Sequence, residues 1–473
     1  MRLALWSGLG LVAPLNARVL GQLPNDVGGI SIDTRTLEAG DLFFAIKGDS
    51  IDGHDHVEAA FKKGAAAAVV SEEKADELKA FGTLYIVHDV LRALEQLGRA
   101  ARARSNAKII AVTGSVGKTS TKEALRTILS HFGQTHASAA SYNNHWGVPL
   151  TLARLPREAK FGVFEIGMNH LGEITPLVAM VKPHIAIITT VAPVHLAHFA
   201  SVDEIAKAKA EIFSGVVEGG TAIIHADIPQ TPRLLKAAKK ARVENILTFG
   251  LHEHADAHLD YIDLKEHSSS VTATVLGKTI RYELGSPGQH LAINSLAQVL
   301  AAEACGLDLD EVAKAMSEVR PAKGRGDRLE FTLPQGKITL IDESYNANPA
   351  SMRAALALLG QSQPAAGGRR IAVLGDMLEL GAKGDALHAG LAEAVLDANV
   401  DLVFAGGELM KNLYDALPVA KLGAYAQSGP DLYEPLKYFL NAGDVVMVKG
   451  SNGSKMGKIV ANFKAEFNDT PVS

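Results

Sequence analysis

The apolar residues of this chain follow two alternating patterns. Uninterrupted apolar runs, typical of buried strands, are followed by stretches with apolar residues every three or four positions, typical of helices. Runs of the first kind occupy residues 109–112, 185–191, 338–341, 370–374 and 445–448. Polar or glycine-rich residues follow most of them, as expected where a parallel strand leads into a helix. The pattern therefore predicts an α/β protein with mainly parallel sheets.

The predicted elements group into three domains. A length of 473 residues allows about three domains. The first contains predicted strands at residues 30–35, 42–46 and 65–70 and is a small α/β domain. The last repeats strand, polar turn and helix, the pattern of a Rossmann-like doubly wound sheet. The predicted boundaries are residues 1–105, 106–318 and 319–473.

One turn has the clearest sequence motif for ligand binding. The strand at 109–112 leads into Thr113-Gly114-Ser115-Val116-Gly117-Lys118-Thr119-Ser120, and a helix with Ala124, Leu125, Ile128 and Leu129 on one face follows. Strand, glycine turn and helix form a phosphate cradle of backbone N–H groups at a helix N-terminus. Lys118 would contact the β and γ phosphates, and the Thr119 hydroxyl would bind magnesium. The longer form of the motif has glycine where this chain has Val112. The central domain is thus predicted to resemble P-loop ATPases, with an ATP-binding set of Gly114, Ser115, Val116, Gly117, Lys118, Thr119 and Ser120.

Two side chains are predicted at strand ends beside this turn. In the segment 162–168, Glu165 is predicted at the end of an apolar strand, and His195 follows the run at 185–191. Ligands of open α/β sheets bind beyond the carboxyl ends of the strands, and a buried carboxylate requires a partner. Glu165 is therefore the expected magnesium partner of Thr119. A histidine at such a position is either structural or functional, and the edge it shares with Glu165 favours a function.

Several polar groups allow two interpretations. Asp33, Thr34 and Arg35 lie at a turn and are equally consistent with binding and with a solvated Asp–Arg pair. The segment 141–149, with Asn143 and Asn144, is predicted to be a loop that either contacts a ligand or only connects elements.

The remaining polar segments mostly favour structural roles. The spacing of Lys207 and Lys209 favours surface residues, and the arginine-rich face of the helix predicted at 91–104 favours solvent. His252, His254 and His258 suggest a metal, but a solvated loop fits better because no ligand geometry is evident. His290 and Asn294 lie four positions apart and share one helical face.

Composition excludes several further classes of binding partner and structure. The net charge of −5 provides no electrostatic basis for binding nucleic acid or an anionic membrane. The single cysteine, Cys305, excludes an internal disulfide framework and fits a reducing cytoplasm. No apolar run reaches the length of a membrane span, and glycines and Pro14 interrupt residues 3–15, so we expect neither a spanning helix nor a signal peptide.

Taken together, these motifs resemble the Mur ligases of peptidoglycan synthesis over nearly the whole chain. The short phosphate loop, the first-domain run from Asp33 to His54, and the segments 342–352 and 375–381 carry the resemblance. The Asp-Asn-Pro-Arg motif of the member that adds a diaminoacid is not found in the last domain. Related chains often continue Lys-Gly-Ser with arginine, whereas this chain has Asn452 after Ser451.

The resemblance implies an ATP-dependent amide ligase that adds D-alanyl-D-alanine to UDP-N-acetylmuramoyl-tripeptide through an acyl phosphate. The first domain would bind the UDP-muramoyl-peptide, the central domain ATP with two magnesium ions, and the last domain the dipeptide. Such an enzyme is expected in the cytoplasm and as a monomer.

The resemblance also implies roles for individual residues. Catalysis would involve Lys118, Glu165, His195 and Lys209, with Thr119, Glu165, His195 and a carbamylated Lys209 holding metal. Asn294 would contact adenine, Asp342 the ribose and Arg325 the phosphates. Substrate would contact Asp33, Thr34, Arg35, Asn143, Asn144, Tyr345, Asn346 and Asn348.

Three other functions remain as alternatives. A P-loop kinase or simple ATPase would explain only residues 109–129 and would need no amine acceptor. An inactive UDP-sugar-binding scaffold would not need the phosphate-loop lysine or the metal-binding residues. A folylpolyglutamate-like ligase shares the ATP domain but lacks this first domain.

Overall fold

The computed structural model describes residues 3–139, 141–193, 198–265, 268–285, 287–321, 324–467 and 469–471. Three large sheets, each with its own helices, follow one another along the chain, and a two-stranded sheet accompanies the first. The predicted α/β fold class is therefore correct. Each helix among the described residues is too short or too polar to cross a membrane.

The first domain contains a five-stranded sheet in the order β2-β7-β6-β5-β4 and a separate pair, β1 and β3. The strands are β1 (Trp6–Ser7), β2 (Arg18–Leu20), β3 (Asp26–Val27), β4 (Gly29–Ser31), β5 (Asp41–Phe44), β6 (Ala67–Ser71) and β7 (Leu84–Val87). The helices are α1 (Gly8–Leu15), α2 (Val57–Lys62), α3 (Ala75–Leu78) and α4 (Val90–Ala103). Strands β4 to β7 pair in parallel, and β2 pairs antiparallel at the edge.

Two predictions for this domain are wrong. The strand predicted at 30–35 ends at Ser31, because the Asp33 carboxylate accepts a hydrogen bond from the Arg35 N–H and closes a turn. The arginines of α4 are not merely solvated: Arg102 donates to the carbonyls of Val181 and Lys182 at 2.8 and 2.9 Å. Periodicity identified the helix but not the neighbouring carbonyls that its arginines contact.

The central domain is built on a nine-stranded sheet in the order β16-β15-β14-β13-β12-β11-β8-β10-β9. Its strands are β8 (Lys108–Thr113), β9 (Thr135–Ala137), β10 (Phe161–Glu165), β11 (Ile185–Ile188), β12 (Thr221–His225), β13 (Asn245–Gly250), β14 (Ala257–Leu264), β15 (Ser269–Val275) and β16 (Lys278–Leu284). Its helices are α5 (Lys118–Ser130), α6 (Gly147–Ala153), α7 (Ile174–Val181), α8 (Val202–Ala210), α9 (Thr231–Lys240), α10 (Gln289–Ala304) and α11 (Leu309–Met316).

Two helical layers bury this sheet. Helices α5, α10 and α11 cover one face, and α6, α7, α8 and α9 cover the other. Strands β8 to β14 pair in parallel, whereas β15 and β16 form an antiparallel extension. The loop predicted at 141–149 is shorter than expected, because α6 begins at Gly147. The Asn144 side chain accepts hydrogen bonds from the N–H groups of Trp146 and Gly147 and so supports the start of that helix.

The last domain has a seven-stranded sheet in the order β21-β20-β19-β22-β18-β17-β23. Its strands are β17 (Asp327–Leu333), β18 (Gly336–Glu343), β19 (Arg370–Gly375), β20 (Leu402–Gly406), β21 (Leu422–Ala426), β22 (Val445–Lys449) and β23 (Asp469–Pro471). Its helices are α12 (Pro349–Gln361), α13 (Gly384–Ala389), α14 (Leu391–Asp397), α15 (Lys411–Ala416), α16 (Tyr433–Phe439) and α17 (Gly457–Glu466). Helices α12, α14 and α15 cover one face and α16 and α17 the other, which makes the sheet doubly wound.

The first two domains share a core. Leu150 and Ala153 of α6 are buried among residues of the first domain. The Trp6 indole N–H donates to the Ala153 carbonyl at 3.1 Å, and the Arg154 Nε donates to the Ile30 carbonyl at 2.6 Å. The first domain is therefore attached to the central one by packing as well as by the chain.

Candidate active site

The glycine turn lies between β8 and α5, as predicted. Gly117 has φ +86°, and a Cβ there would lie 2.8 Å from the Asn294 Nδ2 of α10. A Cβ on Gly114 would lie 1.9 Å from the Thr189 Oγ1, beyond the end of β11. The two glycines thus allow β11 and α10 to approach the turn closely.

The predicted partner of Thr119 lies beside it. The Thr119 hydroxyl donates to the Glu165 Oε2 at 2.8 Å, and the Asn143 amide donates to the Glu165 Oε1 at 2.7 Å. Glu165 is 1% exposed. Strands β8 and β10 are parallel neighbours, so their carboxyl ends bring the two side chains together.

One half-buried and one buried lysine lie near this pair. Lys118 lies at the start of α5 and its Nζ donates to the Gly114 carbonyl at 2.8 Å. Burial lowers the pKa of Lys118, although the Glu165 carboxylate opposes that change. Lys209 on α8 is 2% exposed, and burial and the charge of Lys118 hold its pKa well below the usual value. The expectation of a surface Lys209 is wrong, whereas Lys207 on the same helix is exposed.

The turn faces the last domain across a cleft of about 340 Å³. Arg325 contributes to the lining, and its guanidinium lies over the Tyr345 ring, 4.3 Å from the ring centre. His290 and Asn294 line the cleft together, as their shared helical face predicted. Burial lowers the pKa of His290, which favours the neutral imidazole. The predicted residues that line this cleft are Ser115, Val116, Gly117, Lys118, Thr119, Ser120, Asn143, Glu165, Asn294, Arg325, Tyr345, Asn346 and Asn348.

Several other polar or charged residues that line the cleft were not predicted from the sequence, among them Ser141, Glu343, Lys449 and Asn452. The Lys449 Nζ donates to the Glu343 Oε2 and to the Asn346 carbonyl, both at 3.1 Å. Glu343 and Lys449 are register partners at the carboxyl ends of β18 and β22. Glu165 was predicted because ligands bind beyond the carboxyl ends of parallel strands, and the same rule would have identified Glu343 and Lys449.

Asp342 is placed differently from the other predicted residues of this domain. It is buried, and its Oδ1 accepts hydrogen bonds from the Ser344 N–H and hydroxyl at 3.1 and 2.6 Å. It lines a second cavity next to the cleft, together with Thr119 and Arg325.

The first-domain residues lie outside the cleft. Arg35 is exposed and pairs with the Asp33 carboxylate, which lowers the Asp33 pKa. The Lys63 Nζ donates to the Thr34 carbonyl at 2.7 Å. The solvated-pair alternative therefore describes their present contacts. His195 lies outside the described residues.

The histidine-rich segment after β13 provides no metal site in the structure. Within the described ranges, no group of three His, Cys, Asp or Glu side chains is arranged to hold an ion. The rings of His252 and His254 stack on each other with their centres 5.6 Å apart.

The cleft combines the groups that bind a nucleoside triphosphate. A glycine turn and Lys118 suit phosphate, and a hydroxyl beside a buried carboxylate suits a hard divalent cation that also takes phosphate oxygens. Arg325 adds positive charge from the opposite domain, where Lys449 is paired with Glu343. Such an arrangement can stabilise charge on a transferring phosphoryl group.

Three family models match consecutive parts of the chain. The Mur ligase family, catalytic domain model matches residues 26–105, the Mur ligase middle domain model residues 112–302, and the Mur ligase, glutamate ligase domain model residues 327–452. The matches cover most of the chain in the order that the three sheets occupy.

Individual relatives are similar over nearly their full lengths. A Rickettsia prowazekii protein named UDP-N-acetylmuramoyl-tripeptide--D-alanyl-D-alanine ligase is 34% identical over 92% of this chain and 95% of its own. A crystal structure of MurF from Acinetobacter baumannii is 30% identical, with TM-score 0.84, covering 98% of this chain and 100% of that one. MurF ligase from Thermotoga maritima in complex with ADP has TM-score 0.75 at 23% identity, covering 93% and 97%, which shows a shared fold.

Proposed function

This chain belongs to the Mur ligase family, and from that premise we propose that it joins D-alanyl-D-alanine to UDP-N-acetylmuramoyl-tripeptide at the expense of ATP. One observation carries the proposal: the phosphate turn and the Thr119–Glu165 pair face Arg325 and Lys449 of the last domain across one cleft. The relatives named for this reaction support it. A simple ATPase does not require a second domain opposite its phosphate turn.

The reaction has two steps. The terminal carboxylate of the tripeptide attacks the γ-phosphorus of ATP, giving an acyl phosphate and ADP. The dipeptide amine then attacks the acyl carbon, forming the amide and releasing phosphate and a proton. Because carboxylate and triphosphate repel each other, the site must neutralise both. Lys118 and Arg325 provide that positive charge, and Lys449 lies beside them in an ion pair with Glu343.

The residues present fit magnesium at Thr119 and Glu165. Oxygen donors from one buried carboxylate and one hydroxyl, completed by phosphate oxygens and water, match the preference of this ion. Bound there, magnesium would neutralise charge on the β and γ phosphates. Asn143 orients Glu165 by donating to its second oxygen.

Lys209 suits a second metal site through chemical modification. A buried amine whose pKa is lowered is more often neutral and can add carbon dioxide, losing a proton to give a carbamate. The carbamate is an anion with two oxygen donors, which would bind a second ion together with His195.

The nucleotide and the sugar substrate would occupy different parts of the molecule. Asn294 and Arg325 line the cleft and would contact adenine and phosphates, while Asp342 in the adjoining cavity would contact the ribose. Asn143, Tyr345, Asn346 and Asn348 also line the cleft and would contact the tripeptide near the γ-phosphate. Asp33, Thr34, Arg35 and Asn144 would contact the UDP-muramoyl part outside the cleft.

The test is phosphate release from Mg-ATP with UDP-N-acetylmuramoyl-tripeptide, with and without D-alanyl-D-alanine. We expect release to require both substrates and a new amide product to be detected by mass. Release without the dipeptide would favour the ATPase, and use of glutamate instead would favour a folylpolyglutamate-like ligase.

A variant links the product to the cleft. Lys118→Ala should lower turnover at least about 100-fold, because it removes a preorganised charge from the phosphoryl group. Lys108→Ala, exposed at the opposite end of β8, is the matched control and should retain activity. Equal turnover in the two variants would contradict the role of Lys118.

A further inference from the structure

A second cavity of about 710 Å³ adjoins the cleft, and the mechanism above uses only part of it. Thr119, Arg325 and Tyr345 line the side that it shares with the cleft. Lys455, Lys458 and the buried Val460 line the opposite side. The cavity therefore connects the reacting end of the phosphate turn with a separate group of side chains on and before α17.

The charges in this cavity are not balanced. Four cationic side chains, Arg325, Lys455, Lys458 and Lys464, line it against two carboxylates, Glu123 and Asp342. Glu123 already pairs with Lys122 and Arg126. Among the described residues, neither Lys455 nor Lys458 has an ion-pair or hydrogen-bond partner for its ammonium group. The far side of the cavity thus presents positive charge that the protein does not neutralise.

Lys455 directly follows the short 3-10 helix Asn452–Ser454 in a left-handed conformation. Its φ is +58°, a left-handed conformation that costs a lysine free energy, and its N–H donates to the Asn452 carbonyl at 3.1 Å. Strain of this kind concentrates at functional sites. The conformation places Lys455 at the junction of the second cavity and a third one that Asp376 and Gly407 line, at the carboxyl ends of β19 and β20.

We propose that Lys455, assisted by Lys458, binds the free carboxylate of the dipeptide acceptor, an inference that rests on the proposed function. The acceptor is a zwitterion with two methyl groups and spans about 7 Å when extended. With its carboxylate at Lys455, its amine extends toward Thr119 and Arg325, where the acyl phosphate forms. Val460 provides an apolar wall for the methyl groups.

The position of the lysines favours a carboxylate over a nucleotide phosphate. Neither Lys455 nor Lys458 lines the cleft that contains the phosphate turn. The phosphates have their own cations in Lys118 and Arg325. Because Asp342, the expected ribose contact, lines the same cavity as the two lysines, the KM values of the dipeptide and of ATP distinguish a role of Lys455 in acceptor binding from one in ATP binding.

The experiment compares D-alanyl-D-alanine with its C-terminal amide as acceptors. For the wild-type enzyme, we expect the KM of the amide to be about 10- to 100-fold higher, as loss of a charge-assisted hydrogen bond predicts. Lys455→Gln should raise the KM of the dipeptide by a similar factor and change that of the amide little. Lys455→Arg should retain the preference for carboxylate, as should Lys383→Gln on an exposed surface of the same domain.

Folding and alternative roles are controlled separately. Lys455→Gly removes the ammonium group and also relieves the left-handed strain, so it should fold at least as well while losing the preference for carboxylate. An undiminished preference in Lys455→Gly would overturn the inference, and so would a rise in the KM of ATP instead of the dipeptide. Failure of the wild-type enzyme to make an amide from the dipeptide would instead refute the proposed function.

Discussion

At the scale of single residues, burial decides which lysine amine is favoured in its neutral, reactive form. Lys207 and Lys209 lie two positions apart on α8, yet only Lys209 is buried, near Lys118. Burial penalises the charged form of Lys209, and the nearby ammonium group of Lys118 repels it further. The neutral form of Lys209 is therefore favoured, as formation of a carbamate requires.

Removing that amine should abolish ligation but leave the helix intact. We expect Lys209→Ala to lose nearly all activity and short-chain carboxylic acids to restore part of it, since an added acid would replace the lost carbamate. Steady-state ligation with and without added acetate measures this. Lys207→Ala is the control and should be fully active, whereas a fully active Lys209→Ala would rule out the carbamate.

At the scale of elements, the phosphate turn depends on how closely its neighbours pack. Gly117 combines a positive φ with contact to α10, so two separate effects oppose any side chain there. Gly219 has a comparable φ of +74° but open space around its Cβ position. A comparison of alanine substitutions at the two glycines therefore separates the effect of backbone strain from that of steric contact.

We expect Gly117→Ala to lower ligase activity by more than tenfold, because its Cβ displaces Asn294 or the turn. Gly219→Ala should show only the strain of about 1 kcal/mol and normal activity. Steady-state kinetics together with urea unfolding of both variants separate the two effects. Equal activity in the two variants would mean that the contact with α10 does not matter.

His184, in the connection between α7 and β11, makes the free energy of unfolding depend on pH. The His184 Nδ1 accepts a hydrogen bond from the Ile109 N–H at 2.9 Å, and burial lowers the pKa of His184 to about 4. The unfolded chain, with a pKa near 6.5, binds more protons between these values. The contribution of His184 to the free energy of unfolding is therefore fully present above about pH 6.5 and is lost as the pH falls toward 4.

Replacing this histidine should weaken the loss of stability in acid. His184→Gln retains an acceptor for Ile109 and does not titrate, so its urea midpoint should fall less than that of the wild type between pH 6.5 and 4.5. The half-buried His136, whose pKa is also lowered to about 4, should keep part of the pH dependence in this variant. The exposed His252→Gln variant should follow the wild type, and identical slopes in all three proteins would contradict the assignment.

At the scale of the whole molecule, the three domains differ in how firmly they are joined. The first and central domains share a hydrophobic core and several hydrogen bonds from side chains to carbonyls. The central and last domains instead face each other across two adjoining cavities lined by charged residues. The cleft between the latter pair is thus where closure around substrates would exclude water from an acyl phosphate.

The shared core can be tested at Trp6. Trp6→Ala should cost about 3–5 kcal/mol, because it empties a buried site under Arg104 and removes the hydrogen bond to Ala153. Calorimetric unfolding should show a lower midpoint and a first domain that melts separately. Leu9→Ala on the exposed side of α1 should leave the melting curve unchanged.

The sequence alone determined the local parts of this protein. The α/β class, the phosphate turn and the position of Glu165 follow from short-range patterns, because strands, glycine turns and helix starts depend mainly on neighbouring residues. The family followed from the motifs that these elements carry. Because β8 and β10 pair in parallel, the expected Thr119–Glu165 pair also formed as predicted.

The tertiary structure alone decided which polar side chains meet and which are buried. Lys209 is buried although its spacing resembles that of a surface residue, and Arg102 contacts carbonyls that lie 79 and 80 positions away. Glu343 and Lys449 pair across 106 positions because their strands are neighbours in the sheet. Periodicity reports the face on which a residue lies, whereas the partner on that face depends on how the sheets and helices pack.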